Sequence, residues 1–322
     1  MLMKNFGRSD KQVSILGFGS WGIGKSEWVG ADDKESKRIF LKAIEEGISF
    51  FDTALAYGEG HSEKILGKAS KESGKEIFIA TKIPSKKREW PCADSSTLEE
   101  SFPTKYIIET TEKSLKNLNR DYVDLQQFHV WNDRWAHKDE WKEAITKLKK
   151  DGKVRFFGIS INDHQPENGM ETGKSELIDS FQVIFNIFEQ NPLHQLFPFC
   201  ERHKISIIAR APFDEGSLTG NIDPSTVFPI GDWRNEYFRG KRKMDVKLRV
   251  DEIWKDVKLE TGSMSEAALR FIISFSAVTT VIPGMRQEKN LTDNLKSVQK
   301  GTLPAALLEK LKVHHWNKNF YD

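Results

Sequence analysis

Cysteine is scarce in this sequence: the chain of 322 residues contains two, Cys92 and Cys200. They lie far apart and lack the spacing of metal ligands, and a disulfide-stabilised secreted domain would contain more of them. We therefore predict two reduced thiols in a cytoplasmic protein without a metal site. An excess of charge of one sign is also missing, since 49 basic and 47 acidic side chains leave a net charge of +2. This balance gives no reason to expect a nucleic acid or an anionic membrane as a partner.

Long apolar runs are missing as well. The first seven residues, MLMKNFG, contain no apolar stretch of signal-peptide length, and no later window is apolar enough to span a bilayer. No low-complexity tract and no Pro/Gly/Ser-rich linker divides the chain, so we interpret residues 1–322 as one domain. With 38% hydrophobic and 30% charged residues, the composition is typical of a globular protein with a sizeable core.

The sequence does contain a regular series of short apolar runs. These runs are continuous rather than alternating, as expected for parallel strands that are covered on both faces. The eight candidate strands span residues 14–20, 49–54, 77–83, 122–129, 154–161, 181–188, 205–211 and 279–283. Between them apolar residues recur at helical spacing, as in Ile39, Phe40, Ala43 and Ile44.

Eight alternating strands and helices predict a (β/α)8 TIM barrel. The main alternative is an open, doubly wound sheet, but the run LGFGS at 16–20 contains only the first part of the G-x-G-x-x-G fingerprint of that fold. Residues 84–103 and 212–262 are too long to be simple connections. Both follow predicted strands, so we expect them to be long loops at the C-terminal face, where barrel active sites lie.

Ionisable residues follow three successive predicted strands. Asp52 and Tyr57 come at the end of the second, Lys82 at the end of the third and His129 at the end of the fourth. Each of them alone has an ordinary structural interpretation, as a turn cap, a rim lysine or a packed ring. Because all of them are expected at the same rim of the barrel, a shared site is favoured, in which Lys82 and Asp52 would form an ion pair.

These four residues predict a proton donor that needs no metal and no nucleophile. A free phenol has a pKa near 10, and a neighbouring ammonium lowers it, so Lys82 is expected to lower the pKa of Tyr57. Asp52 would keep Lys82 charged and in place, and His129 would orient a substrate carbonyl. Such a group suits carbonyl reduction in which a cofactor supplies the hydride.

The same residues stand in motifs that resemble those of the aldo-keto reductase superfamily. The run DTALAYG at 52–58 resembles its D-T-A-x-x-Y-G motif, Lys82 and His129 match the two other catalytic positions, and GKVRFFGIS at 152–160 resembles its fifth-strand signature. The resemblance extends from residue 16 to 294. It implies a (β/α)8 barrel that binds NADP(H) and transfers hydride to a small-molecule aldehyde or ketone.

The resemblance also implies the cofactor contacts. Ser160 and Gln182 match residues that hold the carboxamide, PFDEGSLTG at 212–220 resembles the loop around the pyrophosphate, and Arg286 lies where the 2′-phosphate is bound. A guanidinium suits a phosphate, which favours NADPH over NADH. The full set of predicted cofactor residues is Gly19, Ser20, Trp21, Ser160, Gln182, Arg210, Pro212, Phe213, Gly216, Ser217, Gly284, Arg286, Asn290 and Asn294. Trp21 and Trp131 are expected to border the substrate pocket.

Two positions depart from the family pattern. The Ser-Asn pair that usually follows the fifth strand reads Ser160-Ile161, with Asn162 one residue later, which leaves one carboxamide contact open. Arg210 stands where many members have an aromatic residue that stacks on the nicotinamide. We hypothesise that its positive charge favours NADPH over the cationic NADP+.

Three functions remain to be compared. The first is an NADPH-dependent aldehyde or ketone reductase. The second is a regulatory subunit that binds NADP(H) with little turnover, as potassium-channel β subunits of the same superfamily do. The third, an unrelated lyase or isomerase barrel, would need another chemical centre, and we find no metal-ligand, Cys/His or Ser/His arrangement that would provide one. The intact catalytic positions favour the reductase.

Overall fold

The computed structural model describes residues 1–316 and has ten strands there. In chain order they are β1 (Met3–Asn5), β2 (Gln12–Ser14), β3 (Phe18–Gly19), β4 (Phe50–Asp52), β5 (Phe78–Ile83), β6 (Val123–Phe128), β7 (Val154–Ser160), β8 (Ser180–Ile184), β9 (Ser206–Arg210) and β10 (Val278–Val281). Strands β3 to β10 form one parallel eight-stranded sheet in sequential order, and β1 pairs with β2 in a separate antiparallel hairpin. The predicted TIM barrel is confirmed, although the first candidate strand is divided between β2 and β3.

The sheet closes between its first and last strands. The backbone N–H of Gly17 donates to the carbonyl of Val281 at 2.8 Å, and that of Gly19 donates to Pro283 at 3.0 Å. A Cβ atom on Gly19 would lie 2.6 Å from the carbonyl oxygen of Ile282, so a side chain there would force the two ends of the sheet apart. This closure excludes the open doubly wound sheet.

Helices surround the barrel. They are α1 (Asp33–Glu45), α2 (His61–Ser73), α3 (Leu98–Ser101), α4 (Thr104–Leu118), α5 (Asp139–Lys150), α6 (Met170–Gly173), α7 (Leu196–His203), α8 (Arg234–Tyr237), α9 (Arg242–Val257), α10 (Met264–Ile273), α11 (Glu288–Gln299) and α12 (Ala305–Leu311). Short 3-10 turns occupy Trp21–Ile23, Asp133–Trp135, Asn191–Leu193, Asp214–Thr219 and Lys312–His314. Of the helices described here, none has the length and apolarity needed to cross a membrane.

Helix α1 shows how local sequence positions these elements. The side chain of Asp32 accepts a hydrogen bond from the backbone N–H of Glu35 and so caps the first turn. Gly47 follows the helix with a φ of 88°, a conformation that favours glycine. The predicted apolar stripe, which includes Ile39 and Phe40, is buried against the sheet.

The hairpin β1–β2 closes the end of the barrel at which the strands begin. Phe6 is fully buried there, and its ring centroid lies 4.7 Å from that of Phe78 and 5.2 Å from that of Phe156. Phe50, the first residue of β4, packs beside them. Apart from Ser14, the hairpin lies outside the eight predicted strands because its two strands have three residues each and form no apolar run.

The two long segments lie at the opposite end, as predicted, but they are not simple loops. The first, 84–103, contains the short helix α3. The second, 212–262, contains α8 and the 16-residue helix α9, whose apolar side packs on the rest of the protein through Val246, Val250 and Ile253. The long segment 212–262 therefore contains a helix in its second half that the sequence analysis did not identify.

Candidate active site

A cavity of about 1770 Å³ lies at the C-terminal ends of the barrel strands. Its volume exceeds that of a typical small-ligand pocket, about 300–1,000 Å³, and leaves room for a dinucleotide together with a substrate. Most of the predicted site residues border it: Gly19, Ser20, Trp21, Asp52, Tyr57, His129, Ser160, Gln182, Arg210, Pro212, Phe213, Gly216, Gly284, Arg286, Asn290 and Asn294. Lys82 lies directly behind this lining, whereas Trp131 and Ser217 lie outside it.

Lys82 connects the predicted catalytic residues. It is fully buried near the end of β5, and its Nζ donates to Oδ2 of Asp52 at 2.5 Å and to the Thr53 carbonyl at 2.8 Å. The same Nζ lies 3.2 Å from the Tyr57 hydroxyl oxygen. The His129 ring stands edge-on to Tyr57, with the ring centroids 5.7 Å apart. The structure thus brings together all four residues that the sequence placed on three separate strands.

Asp52 is held by neighbours on both sides of its carboxylate. Nζ of Lys82 donates a hydrogen bond to Oδ2, and Nε2 of Gln182 donates one to Oδ1 at 2.7 Å. The hydroxyl of Ser20 donates to the Asp52 backbone carbonyl at 2.7 Å, and Ser62 in turn donates to the Ser20 hydroxyl. Ser20 and Gln182, both predicted as cofactor residues, therefore also fix the position of the buried carboxylate.

The protonation of Tyr57 differs from the sequence-based expectation. Desolvation by the surrounding protein, assisted by the negative charge of Asp52, raises the pKa of Tyr57 well above its ordinary value. Burial therefore outweighs the lowering that the sequence analysis expected from Lys82, whose own pKa is lowered by burial although Asp52 acts in the opposite direction. In this structure Tyr57 is consequently a neutral phenol that has a proton to give at neutral pH.

His129 is also neutral. Burial lowers its pKa well below the ordinary value, and the positive charges of Lys82, Arg210 and Arg88 act in the same direction. A neutral imidazole retains one ring N–H, so it can donate a hydrogen bond to a carbonyl oxygen while adding no charge to the site.

The cavity has features that fit the two ends of a dinucleotide, one at Ser160 beside Gln182 and the other at Asn294 on α11. In the described chain, the hydroxyl of Ser160 and Nδ2 of Asn294 are buried at the cavity without a hydrogen-bond partner. Buried polar groups usually have partners, so these two are positioned to receive them from a ligand. Lys289, Lys296 and Arg286 line the cavity at the end formed by α11 and make that end suitable for phosphate groups.

Arg286 is anchored beside an aromatic ring. Its Nη1 donates to the Val29 carbonyl at 2.9 Å, and its guanidinium carbon lies 5.3 Å from the centroid of Trp28. Arg234 lies 4.4 Å from the same ring and is paired with Asp232. Two guanidinium groups thus share one indole at the predicted 2′-phosphate position, a grouping that the sequence did not reveal because α8 is remote from Arg286 in the chain.

The segment predicted to surround a pyrophosphate has unusual backbone geometry. Asp214, Glu215 and Gly216 have successive φ values of 49°, 57° and 107°, of which the first two are uncommon for residues with a side chain. Burial beside Asp214 raises the pKa of Glu215 to about 7. Ser217 is fully buried and does not line the cavity, whereas its neighbour Gly216 does, so a cofactor contact at Ser217 stays a prediction.

Trp131 does not lie where the sequence analysis placed it. It is fully buried behind the cavity, where its ring stacks on Phe128 at 4.7 Å and its Nε1 donates to the Thr172 hydroxyl at 2.9 Å. It therefore belongs to the core and does not border a substrate pocket. The side chain of Asn162 is likewise directed away from the cavity, since its Oδ1 accepts a hydrogen bond from the backbone N–H of Trp131. Trp21 does line the cavity, as predicted.

The family follows from comparison of the whole chain with known proteins. Residues 15–314 match the model of the aldo/keto reductase family. The chain belongs to this family. It is 31% identical to the aldo-keto reductase YhdN of Bacillus subtilis over 286 residues, which cover 87% of this chain and 83% of that protein.

Structural comparison agrees with this assignment. The glycerol dehydrogenase AKR11B4 from Gluconobacter oxydans superimposes with a TM-score of 0.80 at 27% identity, covering 97% of this chain and 94% of that one. A probable voltage-gated potassium channel β subunit of Arabidopsis thaliana is 28% identical, covering 92% of this chain and 91% of its own length. Family membership and these neighbours support an oxidoreductase that acts on carbonyl groups.

Proposed function

We propose that this protein is an NADPH-dependent reductase that converts an aldehyde or ketone to the alcohol, with Tyr57 as the general acid. The observation that carries the proposal is the position of Lys82 Nζ, 2.5 Å from Asp52 and 3.2 Å from the Tyr57 hydroxyl, beside the cavity. It joins a neutral proton donor to a buried cation that can stabilise the resulting anion.

The residues at the cavity divide the work of carbonyl reduction. When bound, a reduced nicotinamide would supply the hydride that the carbonyl carbon accepts. Tyr57 gives its proton to the carbonyl oxygen, so the products at the site are the alcohol and a Tyr57 phenolate. The Lys82 ammonium donates a hydrogen bond to that phenolate, and Asp52 keeps the ammonium in place. A proton from water then restores the phenol, while His129 orients the carbonyl through its neutral ring N–H.

NADPH is favoured over NADH by the charges at the far end of the cavity. Arg286 would hold the 2′-phosphate, supported by the neighbouring Lys289. The Ser160 hydroxyl would contact the carboxamide, and Nδ2 of Asn294 would contact the adenine. Arg210, which is paired with Asp163, contributes less net charge than the sequence suggested. Its expected preference for the neutral reduced nicotinamide remains a hypothesis.

A second candidate function is supported by the similarity to the Arabidopsis channel β subunit. In that case the chain would bind NADP(H) and report its redox state with little turnover. The intact arrangement of Asp52, Tyr57, Lys82 and His129 favours the reductase, because a binding subunit has no need of a proton donor.

The deciding experiment measures NADPH oxidation with a panel of aldehydes and ketones, using the wild-type protein beside Tyr57→Phe, with NADPH binding determined for both. Loss of the general acid should lower kcat by about 10²–10⁴ while the dissociation constant changes little. Tight NADPH binding without turnover on any compound would favour the regulatory subunit. Absence of NADPH binding would refute the cofactor assignment.

A further inference from the structure

One wall of the cavity is formed by Trp90, Asp163 and Arg210, none of which takes part in the proton transfer proposed above. Asp163 accepts a 3.4 Å hydrogen bond from the Trp90 indole N–H and forms a close ion pair with Arg210. The Trp90 ring stands edge-on to His129, with the centroids 4.9 Å apart, and Arg210 lies 5.8 Å from Trp90. We call Trp90, Asp163 and Arg210 the selecting wall, since it borders the place where a carbonyl held by Tyr57 and His129 must lie.

Charged groups of the selecting wall face the cavity. The side chains of Arg210 and Asp163 retain 17% and 14% of their exposure, and both line the cavity. Water reaches them in the unliganded protein, and a substrate must replace that water. A hydroxyl group can do so, because it both donates and accepts hydrogen bonds, whereas an alkyl group would leave the charged groups with fewer partners.

Two arginines in the same part of the cavity already have carboxylate partners. The Arg210 guanidinium is neutralised by Asp163, and that of Arg88 is paired with Glu59 at 3.1 Å. Glu189, which is buried at the cavity and contacts His164 at 2.7 Å, adds a further carboxyl group to this side. A carboxylate on the substrate would therefore have to compete with Asp163 and Glu59 for these two guanidinium groups.

We propose that the selecting wall makes this protein prefer uncharged carbonyl compounds that carry a hydroxyl group next to the carbonyl, over alkyl carbonyls and over keto acids. The inference rests on the proposed reductase function. It assigns Asp163 as the residue that sets the preference, because Asp163 both neutralises Arg210 and fixes Trp90 over the substrate position.

Four ketones built on the same three-carbon chain test this preference, with 4-nitrobenzaldehyde as a general substrate. Acetone, hydroxyacetone and pyruvate differ at one carbon, and methoxyacetone matches the electronic activation of hydroxyacetone without its O–H donor. We expect kcat/KM for hydroxyacetone to exceed that for methoxyacetone and acetone by about tenfold or more, with pyruvate lowest. Equal values for hydroxyacetone and methoxyacetone, or a preference for pyruvate, would overturn the inference.

Asp163→Asn tests the assigned residue. It removes the carboxylate charge that is paired with Arg210, so kcat/KM should rise for pyruvate and fall for hydroxyacetone, changing their ratio by about tenfold or more. General loss of structure cannot produce such opposite changes, and Asp163→Glu should restore the original order. Asp251→Asn makes the same substitution in an exposed ion pair with Lys247 on α9, outside the cavity, and should leave the ratio unchanged.

Turnover of 4-nitrobenzaldehyde distinguishes failure of this inference from failure of the proposed reductase function. Turnover of 4-nitrobenzaldehyde with no discrimination among the ketones would refute the selecting wall and leave the reductase standing. An Asp163→Asn protein that reduces 4-nitrobenzaldehyde but keeps the wild-type ketone ratio would refute the role of Asp163. Absence of turnover on every compound, including 4-nitrobenzaldehyde, would refute the proposed function and this inference with it.

Discussion

Gln182 donates a 2.7 Å hydrogen bond from Nε2 to Oδ1 of Asp52, and both side chains are almost completely buried. Because Lys82 donates to the other carboxylate oxygen, the charge of Asp52 is stabilised by two hydrogen-bond donors on different strands. A residue expected to hold a cofactor therefore also stabilises the centre of the candidate active site.

Replacement of this donor should destabilise the fold. We expect Gln182→Met to lower the free energy of unfolding by about 1.5–3 kcal/mol, the usual range for a hydrogen bond to a charged group. Urea denaturation of wild type and variant measures the difference. Gln126→Met is the matched control, since Gln126 is buried on β6 and donates to the uncharged hydroxyl of Thr111. A loss no larger than that of the control would contradict the role assigned to Gln182.

The raised pKa of Tyr57 predicts different pH dependences for the two directions of the reaction. Reduction needs the protonated phenol, which is present at every pH below its folded pKa, so kcat for reduction should stay constant over about pH 6–9. Oxidation of the corresponding alcohol needs the phenolate, so its kcat should increase throughout the same range. Steady-state kinetics in both directions provide the measurement. If kcat for reduction fell with a midpoint below about pH 9, Tyr57 would have to ionise within the working range.

Arg286 should distinguish the two nicotinamide cofactors. A charge-assisted contact to the 2′-phosphate contributes only with NADPH, so Arg286→Met should weaken NADPH binding by about tenfold or more and leave NADH binding nearly unchanged. Titration calorimetry with both cofactors measures this. Arg202→Met removes an exposed arginine of α7 outside the cavity and should alter neither constant. Parallel weakening of both cofactors by Arg286→Met would exclude 2′-phosphate recognition.

Replacement of Trp131 should affect mainly the stability of the protein, whereas replacement of Trp21 should affect mainly KM. Trp131 is enclosed by Phe128, Trp135 and Trp141, so Trp131→Ala should cost about 3–5 kcal/mol of stability with little change in KM for the protein that remains folded. Trp21→Ala, on the cavity wall, should mainly raise KM. Chemical denaturation and steady-state kinetics on both variants test the assignment. A large KM effect at Trp131 would return it to the substrate pocket.

The sequence was sufficient for the barrel and for the four residues around Tyr57. Continuous apolar runs identify the strands, and parallel strands deliver their terminal residues to one end of the barrel, so Asp52, Lys82 and His129 had to meet there. Trp131, two residues beyond His129, shows the limit of this reasoning. Which way a side chain turns after a strand depends on its packing partners, and here the neighbouring aromatic rings draw Trp131 into the core.

The pKa values of the site residues and the contacts between residues distant in the chain were harder to predict from the sequence. The effect of Lys82 on Tyr57 depends on how deeply both are desolvated, which spacing along the chain does not reveal. The pairing of Asp163 with Arg210 joins residues 47 positions apart, and the indole of Trp90 reaches Asp163 from 73 positions away. Motif positions identify such residues one at a time, whereas their contacts depend on the folded geometry.

The hairpin at the start of the chain has a practical consequence for handling the protein. It covers the barrel end opposite the cavity, and Met1 and Leu2 are exposed there. A protein attached to a surface through its amino terminus should therefore keep its cavity turned toward the solution. Removal of the first residues in order to shorten a tether would uncover Phe50, Phe78 and Phe156, and apolar patches of that kind cause proteins to associate.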